Sequence, residues 1–196
     1  MGNGSVTRER ILQIALQVFA EHGYEGARMD KIAAEVGINK ASLYFHFKSK
    51  EDIFRGLFQQ ILGKYRSWLK ELLDEVKTLP CKERLTAIYE KYFDYNWNNR
   101  EMEFWNRIYY LPPAAMRKEI LVETMETKDS FIAQLSVIME EGIRRKELRP
   151  HGAVSMAKSY YYILTCIDLS MDLLDKEQSL KDMEECFSIF WEGIKA

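Results

Sequence analysis

The stretch from Gly37 to Phe54, GINKASLYFHFKSKEDIF, decides the fold that we predict for this chain. Gly37 is expected to end a short helix, because glycine adopts the left-handed conformation that closes helices. Asn39 follows at once and can cap a second helix. Leu43 and Phe47 lie four residues apart on that second helix and would face the core together. Two short helices joined by a tight, glycine-containing turn are typical of the helix-turn-helix motif.

The second helix of such a motif enters the major groove of DNA, and its first turn contacts base edges. Here that turn offers small or polar groups at Lys40, Ala41 and Ser42. Side chains that can donate hydrogen bonds to phosphates follow at Tyr44, His46, Lys48 and Lys50. Because phosphate contacts position a protein and base contacts specify the sequence, the pattern predicts recognition of double-stranded DNA.

Outward from this stretch, apolar residues recur every three or four positions, and no segment alternates as a half-buried strand would. We therefore predict an all-α protein of about nine helices. These helices are expected near residues 7–22, 29–36, 40–47, 49–76, 82–99, 101–111, 114–146, 153–175 and 179–194. Thr7 is the expected N-cap of the first helix, and Gly23 is expected to end it. Ser49 and Asp52 form a capping box that would begin the fourth helix.

Charge and composition restrict the class of protein. Residues 1–50 hold seven Lys and Arg against five Asp and Glu, a net charge of +2, so residues 51–196 carry −4 of the total of −2. A basic N-terminal part suits a protein that presents one end to phosphates. The longest uncharged runs are ten residues, far short of the roughly 20 apolar residues that cross a bilayer, so we expect no membrane contact.

The cysteines and histidines indicate no special chemistry. The three cysteines form no CxxC pair, and the three histidines lack the spacing of metal ligands. We therefore expect reduced thiols, no metal ion, no cofactor and a cytoplasmic location. No export signal is visible at the N-terminus.

The same stretch resembles the DNA-binding domain of the TetR family of transcriptional regulators. That family's signature runs Gly-Val-Ser-x-Gly-Thr-Leu-Tyr-x-His/Tyr-Phe-x-Ser-Lys-Glu-x-Leu. This sequence matches the signature at Gly37, Leu43, Tyr44, His46, Phe47, Ser49, Lys50 and Glu51. It matches the family's first two helices at Ala15, Val18, Phe19, Gly23, Tyr24, Ile32 and Ala33. The rest of the chain resembles the family only in its number of helices.

The resemblance implies a repressor with two domains. Residues 1–50 would form a three-helix, helix-turn-helix DNA-binding domain, and residues 51–196 a helical domain for effector binding and dimerisation. A homodimer would bind a near-palindromic DNA operator and leave it when a small hydrophobic or aromatic molecule binds.

The resemblance also implies which residues contact DNA. Tyr44 and Lys50 take the family's phosphate-contact positions, and base reading falls to Lys40, Ala41, Ser42 and Phe45. The full candidate set is Arg28, Met29, Lys40, Ala41, Ser42, Tyr44, Phe45, His46, Lys48 and Lys50.

Two of these positions depart from the family. Arg28 stands where the family usually caps its second helix with Thr, so charge could hold a phosphate while the cap itself is lost. Ala41 stands where the family has Gly, which should change base preference.

Each candidate also has a structural alternative. Tyr44 and Phe45 could be core aromatics, and His46 and Lys48 could be solvated surface groups. Lys50 could belong only to the first turn of its helix, and Arg28 and Met29 could be merely structural.

A dense group of aromatic residues forms the candidate effector site. Nine aromatics occur between Tyr89 and Tyr110. Such density at helical spacing is usually core, but the excess over one stripe leaves room for an aromatic-lined pocket. The candidate ligand-binding residues are Tyr92, Trp97, Phe104, Trp105, Tyr109 and Tyr161.

The last two predicted helices carry apolar stripes that could pair with a second copy of the chain. The stripes comprise Val154, Ala157, Tyr161, Leu164, Ile167, Met171 and Leu174, then Met183, Cys186, Phe187, Phe190 and Ile194. They could equally be buried within their own chain.

A helical enzyme and an adaptor without DNA binding are the alternative classes, but we find no nucleophile–base pair, phosphate-binding glycine loop or metal cluster that would favour an enzyme.

Overall fold

The computed structural model describes residues 3–97, 99–170 and 175–196. Within these ranges the chain forms helices and no strand, and an isolated antiparallel bridge joins Leu148 to Lys195. The helices are α1 (Asn3–Gly26), α2 (Met29–Val36), α3 (Lys40–His46), α4 (Lys50–Glu75), α5 (Cys81–Trp97), α6 (Arg100–Tyr110), α7 (Arg117–Arg144), α8 (Ala153–Ser170) and α9 (Lys176–Ile194), with a 3-10 turn at Ala114–Met116. The prediction of an all-α protein of about nine helices is confirmed for the described residues.

The first helix differs from its prediction at its start and is interrupted where its end was predicted. It begins at Asn3, so Thr7 lies inside the helix and the prediction of an N-cap there is wrong. Gly23 has a φ of +66°, which glycine tolerates because it has no Cβ. The regular helix is interrupted at Gly23, as predicted, and a further short helical stretch follows the kink as far as Gly26.

The last helix begins earlier than predicted because of its cap. The Asp175 carboxylate accepts a hydrogen bond from the Gln178 backbone amide at 2.9 Å, which starts α9 at Lys176 instead of residue 179. In the predicted stripe of α8, Met171 and Leu174 lie outside the described residues. The Ile167 side chain lies outside them as well.

The chain forms two compact units, and each consists of two separate stretches. The first unit comprises Met1–Arg66 and Arg100–Leu121, and the second comprises Ser67–Asn99 and Val122–Ala196. The functional division that we predict at residue 50 stays a prediction.

Aromatic packing forms much of the core of the first unit. The ring of Phe54 lies edge-on to Phe19, with 5.1 Å between centroids, and 5.3 Å from Phe104 on α6. Phe58 stacks in parallel on Trp105 at 5.6 Å. Such pairs contribute about 0.5–1.5 kcal/mol each beyond the burial of their area. Helix α6 is therefore part of the core that supports α1 and α4.

The second unit packs around Tyr160, which is fully buried. The Tyr160 hydroxyl donates a hydrogen bond to the Leu85 carbonyl oxygen at 2.6 Å. On the same helix α5, the buried Arg84 guanidinium pairs with Glu141 of α7 at 2.6 Å. The hydrogen bond from Arg84 is the main cause that lowers the pKa of the Glu141 carboxyl below its ordinary value. These contacts tie α5 to α7 and α8.

Candidate nucleic-acid interface

The turn between α2 and α3 has the geometry that its sequence predicts. Gly37 closes α2 in the left-handed conformation, with a φ of +78°, and its amide donates to the carbonyl oxygens of Ala33 and Ala34. The Asn39 side chain accepts a hydrogen bond from the Ser42 amide at 2.8 Å, which caps α3 as expected.

Helix α3 is held against the rest of the first unit by two buried apolar residues, which we call the seam. Leu43 and Phe47 are 0% and 1% exposed. The Arg8 guanidinium from α1 lies 4.8 Å from the centre of the Phe47 ring, a cation–π contact that the sequence analysis missed. A seven-residue helix has little stability of its own. The seam therefore supplies the rigidity that a recognition helix needs.

The other sides of α3 face solvent or the edge of the unit. Lys40, Ala41, Tyr44 and Phe45 are exposed, as is Lys48 just beyond the helix, while Ser42 and His46 are half-buried. The Lys40 ammonium lies 6.0 Å from the Tyr44 ring, and Lys48 Nζ donates to the Tyr44 carbonyl oxygen at 3.5 Å. The core alternative for Phe45 is therefore wrong, since its side chain is 79% exposed.

The start of α4 fixes the backbone that carries Lys48. Ser49 Oγ accepts a hydrogen bond from the Asp52 amide at 3.1 Å, and the Asp52 carboxylate accepts one from the Lys48 amide at 2.9 Å. The predicted capping box is thus present, although the Asp52 carboxylate accepts from the amide of Lys48 and not from that of the cap residue Ser49. The Glu51 amide and then the Tyr24 hydroxyl lower the pKa of the Glu51 carboxyl.

Lys50 faces the protein in this structure. Its ammonium donates to the Tyr24 carbonyl oxygen at 2.7 Å and lies 4.4 Å from the centre of the Tyr24 ring. It therefore ties the end of α1 to the start of α4. The predicted phosphate contact by Lys50 stays a prediction, and the observed geometry favours a supporting role.

Arg28 occupies the N-cap position of α2 without a side-chain cap. Its guanidinium instead forms two hydrogen bonds to the Asp30 carboxylate, at 3.1 and 2.9 Å. The Arg28 hydrogen bond is the main cause that lowers the pKa of the Asp30 carboxyl. Met29 is half-buried beside it. DNA contact by either residue stays a prediction.

Comparisons with known proteins agree on one family. Residues 11–57 match the sequence pattern of the bacterial regulatory proteins of the tetR family. The fatty acid metabolism regulator protein of Bacillus subtilis is 26% identical over 153 residues, which are 78% of this chain and 76% of that protein. The icaADBC biofilm operon negative transcriptional regulator IcaR of Staphylococcus epidermidis is 44% identical over 48 residues, which are 24% of this chain and 26% of that protein.

A solved structure extends the similarity to the whole chain. The transcriptional regulator FadR of Bacillus subtilis, in complex with stearoyl-CoA, matches with a TM-score of 0.71 at 20% identity, over 94% of this chain and 98% of that chain. Residues 11–57 belong to the tetR family of bacterial regulatory proteins. The agreement of this match with the relative that covers most of the chain confirms the prediction of a ligand-responsive, DNA-binding regulator. It also confirms that the chain is no enzyme, because its relatives are transcriptional regulators.

Three of the candidate ligand-binding residues lie in the first unit. Phe104 and Trp105 are buried in the aromatic core described above, whereas Tyr109 is 36% exposed. On the same helix, the Arg107 guanidinium donates to the Ala20 carbonyl oxygen of α1 at 2.7 Å. Glu101 of α6 pairs with Lys64 of α4 at 2.6 Å. Helix α6 is thus bonded to both α1 and α4 within the first unit.

The other three candidates lie in the second unit. Tyr92 is buried 6.1 Å from the Trp68 ring, and Trp97 stacks on Phe93 at 5.3 Å. Tyr161 is buried 6.2 Å from the Phe131 ring. The structure thus divides the six residues equally between the two units, and ligand binding by any of them stays a prediction.

The described residues hold neither a metal-binding cluster nor a helix that could cross a membrane. No group of three or more His, Cys, Asp and Glu side chains is arranged to hold a metal ion in that part of the chain. None of the helices described there combines the length and the hydropathy needed to span a bilayer.

Proposed function

We propose that this chain is a repressor that binds a near-palindromic operator as a homodimer and leaves it when a small apolar or aromatic effector binds. The observation that carries the proposal is the solvent-facing side of α3, where basic, polar and apolar side chains are presented on a helix locked by a buried seam. Such a regulator would work in the cytoplasm, where bacterial DNA lies.

The DNA contacts that we propose divide by position on α3. Lys40, Ala41 and Ser42 form its opening turn and would meet base edges. Tyr44 and Lys48 stand along one side of Phe45 and would bind phosphates, with His46 on its opposite side. Lys50 would act indirectly, because its ammonium holds the end of α1.

The dimer proposal rests on apolar side chains that α8 and α9 leave exposed. Val154 and Tyr162 of α8 are 50% and 56% exposed, and Ile189 of α9 is 75% exposed. Of these three only Val154 belongs to the predicted stripes, in which Ala157 and Leu164 are buried within the chain. A two-fold interface over the exposed residues would set two copies of α3 about 34–36 Å apart, which is one turn of DNA.

The effector proposal rests on the interior of the second unit. Tyr92, Trp97 and Tyr161 supply aromatic surface there. The Tyr89 hydroxyl and Asn96 Oδ1 are buried without a hydrogen-bond partner among the described residues. A polar group of a bound molecule could satisfy such atoms. Because the Bacillus subtilis protein of the same fold was solved with stearoyl-CoA, long acyl chains are the first class to test, beside aromatic compounds.

Release of DNA requires that the effector distinguish two states of the protein. A preference of about 1–3 kcal/mol for the state that does not fit DNA changes the operator affinity about 5- to 150-fold. An effector that binds free and operator-bound protein with equal affinity would contradict the proposal.

DNA binding can be tested by fluorescence anisotropy with a labelled duplex from the region upstream of the chain's own coding sequence. We expect the double variant Tyr44→Ala and Lys48→Ala to bind at least about tenfold more weakly, and the slope of log Kd against log salt to fall. Lys70→Ala, an exposed lysine on α4, is the control and should bind as the wild type does. Equal binding of the double variant to every duplex tested would contradict the proposed function.

The dimer can be tested separately by sedimentation of the Ile189→Asp variant. We expect this variant to sediment as a monomer at concentrations where the wild type is a dimer, because a charge would replace an apolar side chain at the interface. A wild type that is monomeric throughout would contradict the dimer proposal.

A further inference from the structure

The exposed face of α3 is arranged in three rows, because residues four apart lie above one another on a helix. Lys40 and Tyr44 form one row, and Lys48 extends it just beyond the helix, where its Nζ donates to the Tyr44 carbonyl oxygen at 3.5 Å. Ser42 and His46 form a polar row. Between them, Ala41 and Phe45 form an apolar row, which we call the crest.

The crest points directly away from the protein. At about 100° per residue, Phe45 lies about 180° around the helix from the midpoint of Leu43 and Phe47. Its side chain is 79% exposed, and its ring lies edge-on to His46 at 5.3 Å. If α3 enters a groove with this face first, Phe45 and Ala41 reach deepest into the groove.

The charges beside the crest identify what it contacts. Lys40 and Lys48 flank it on one side, and both are exposed. This combination of an apolar centre and a cationic margin is complementary to a DNA groove, where phosphates border the base edges. The apolar group on the floor of the major groove is the C5-methyl group of thymine. A lipid surface or a protein partner would bury a wider apolar patch than two side chains on one short helix.

We propose that Phe45, with Ala41 one turn before it, reads the C5-methyl group of a thymine in each operator half-site. Phe45 is therefore a specificity-determining residue that selects thymine by apolar contact. This inference rests on the proposed function, since it assumes that α3 lies in the major groove.

The test begins with duplexes enriched by the full-length protein from a random-sequence library. Each thymine of the enriched duplex is then replaced by uracil, which removes the methyl group and keeps the base pair. At the thymine that Phe45 contacts, we expect wild-type binding to weaken about fourfold, which corresponds to about 0.8 kcal/mol for one buried methyl group. In Phe45→Ala the same replacement should change the affinity by less than about 1.5-fold, because the apolar partner is gone.

Two further variants separate this contact from general effects. Phe45→Leu keeps an apolar side chain and should retain a loss of at least about twofold on replacement by uracil. Leu111→Ala removes another apolar side chain of similar exposure, 80%, and should leave the wild-type response intact. Since Phe45 is exposed, its replacement should not impair folding, which thermal unfolding can verify.

The outcomes distinguish this inference from the function on which it rests. If the wild type enriches no duplex, the proposed function fails and the inference fails with it. If the wild type enriches a duplex but every uracil replacement has the same effect in the wild type and in Phe45→Ala, the inference is overturned and the proposed function stands.

Discussion

The substitution Lys50→Met separates support of the fold from contact with DNA. The variant keeps the length of the side chain and removes the ammonium that donates to the Tyr24 carbonyl oxygen at 2.7 Å. A hydrogen bond from a charged donor contributes about 1.5–3 kcal/mol, and a cation–π contact at a partly exposed site about 0.5–1 kcal/mol. Lys50 is only half-buried, so solvent weakens both contacts. We therefore expect a loss of about 1.5–2 kcal/mol in the free energy of unfolding, near the lower end of the range for the hydrogen bond.

The same variant should leave the electrostatic part of DNA binding unchanged. Each phosphate contact contributes about 0.9 to the slope of log Kd against log salt. We expect that slope to be the same in Lys50→Met and in the wild type. Urea denaturation measures the stability, and operator titrations at four salt concentrations measure the slope.

Lys48→Met is the matched control, and its expected pattern is the reverse. Lys48 is exposed, so its stability should stay within about 0.5 kcal/mol of the wild type while its salt slope falls by about 0.9. If Lys50→Met instead keeps full stability and loses about 0.9 from its slope, the ammonium binds phosphate, and the supporting role that we assign to it is wrong.

Three further substitutions test individual contacts. Gly37→Ala should lower the free energy of unfolding by about 1–2 kcal/mol in urea denaturation, because Gly37 has a φ of +78°; unchanged stability would contradict the left-handed turn. Arg28→Thr should raise stability by up to about 1 kcal/mol by restoring a cap to α2, and a loss would show that the pair with Asp30 contributes more. Glu141→Gln should lower the melting temperature at pH 7. Because the folded-state pKa of Glu141 is lowered, the carboxylate stabilises the protein above its ordinary pKa of 4.5, so the difference from the wild type should fade as the pH falls through the lower folded-state pKa. A difference that persists in acid would contradict this explanation.

The sequence predicts the turn between α2 and α3 well because the deciding interactions are local. Gly37 bonds to carbonyls three and four residues before it, and Asn39 caps an amide three residues after it. Hydrogen bonds between residues three or four positions apart can be predicted from the sequence without knowledge of the rest of the fold. The buried pair Leu43 and Phe47 follows in the same way from helical periodicity.

Contacts between distant residues could not be predicted in this way. Lys50 meets a carbonyl 26 positions earlier, and Arg107 meets one 87 positions earlier. No periodic pattern links such residues, so the position of Lys50 suggested a contact with phosphate, and neither of these carbonyl contacts could be predicted. The break at Gly23 could be predicted, but the short helical stretch beyond it could not, since a glycine marks a bend and does not show whether the helix resumes.

The first unit consists of two separate stretches of the chain, which limits how its predicted DNA-binding domain can be exchanged between proteins. A chimera that carried only residues 1–66 on a foreign body would leave Phe54 and Phe58 without the rings of Phe104 and Trp105 that pack on them here. A functional graft therefore has to transfer residues 100–121 as well. At the level of genes, swapping operator preference between such regulators takes three crossovers within the coding sequence, after residues 66, 99 and 121, whereas point changes on the outward face of α3 need none.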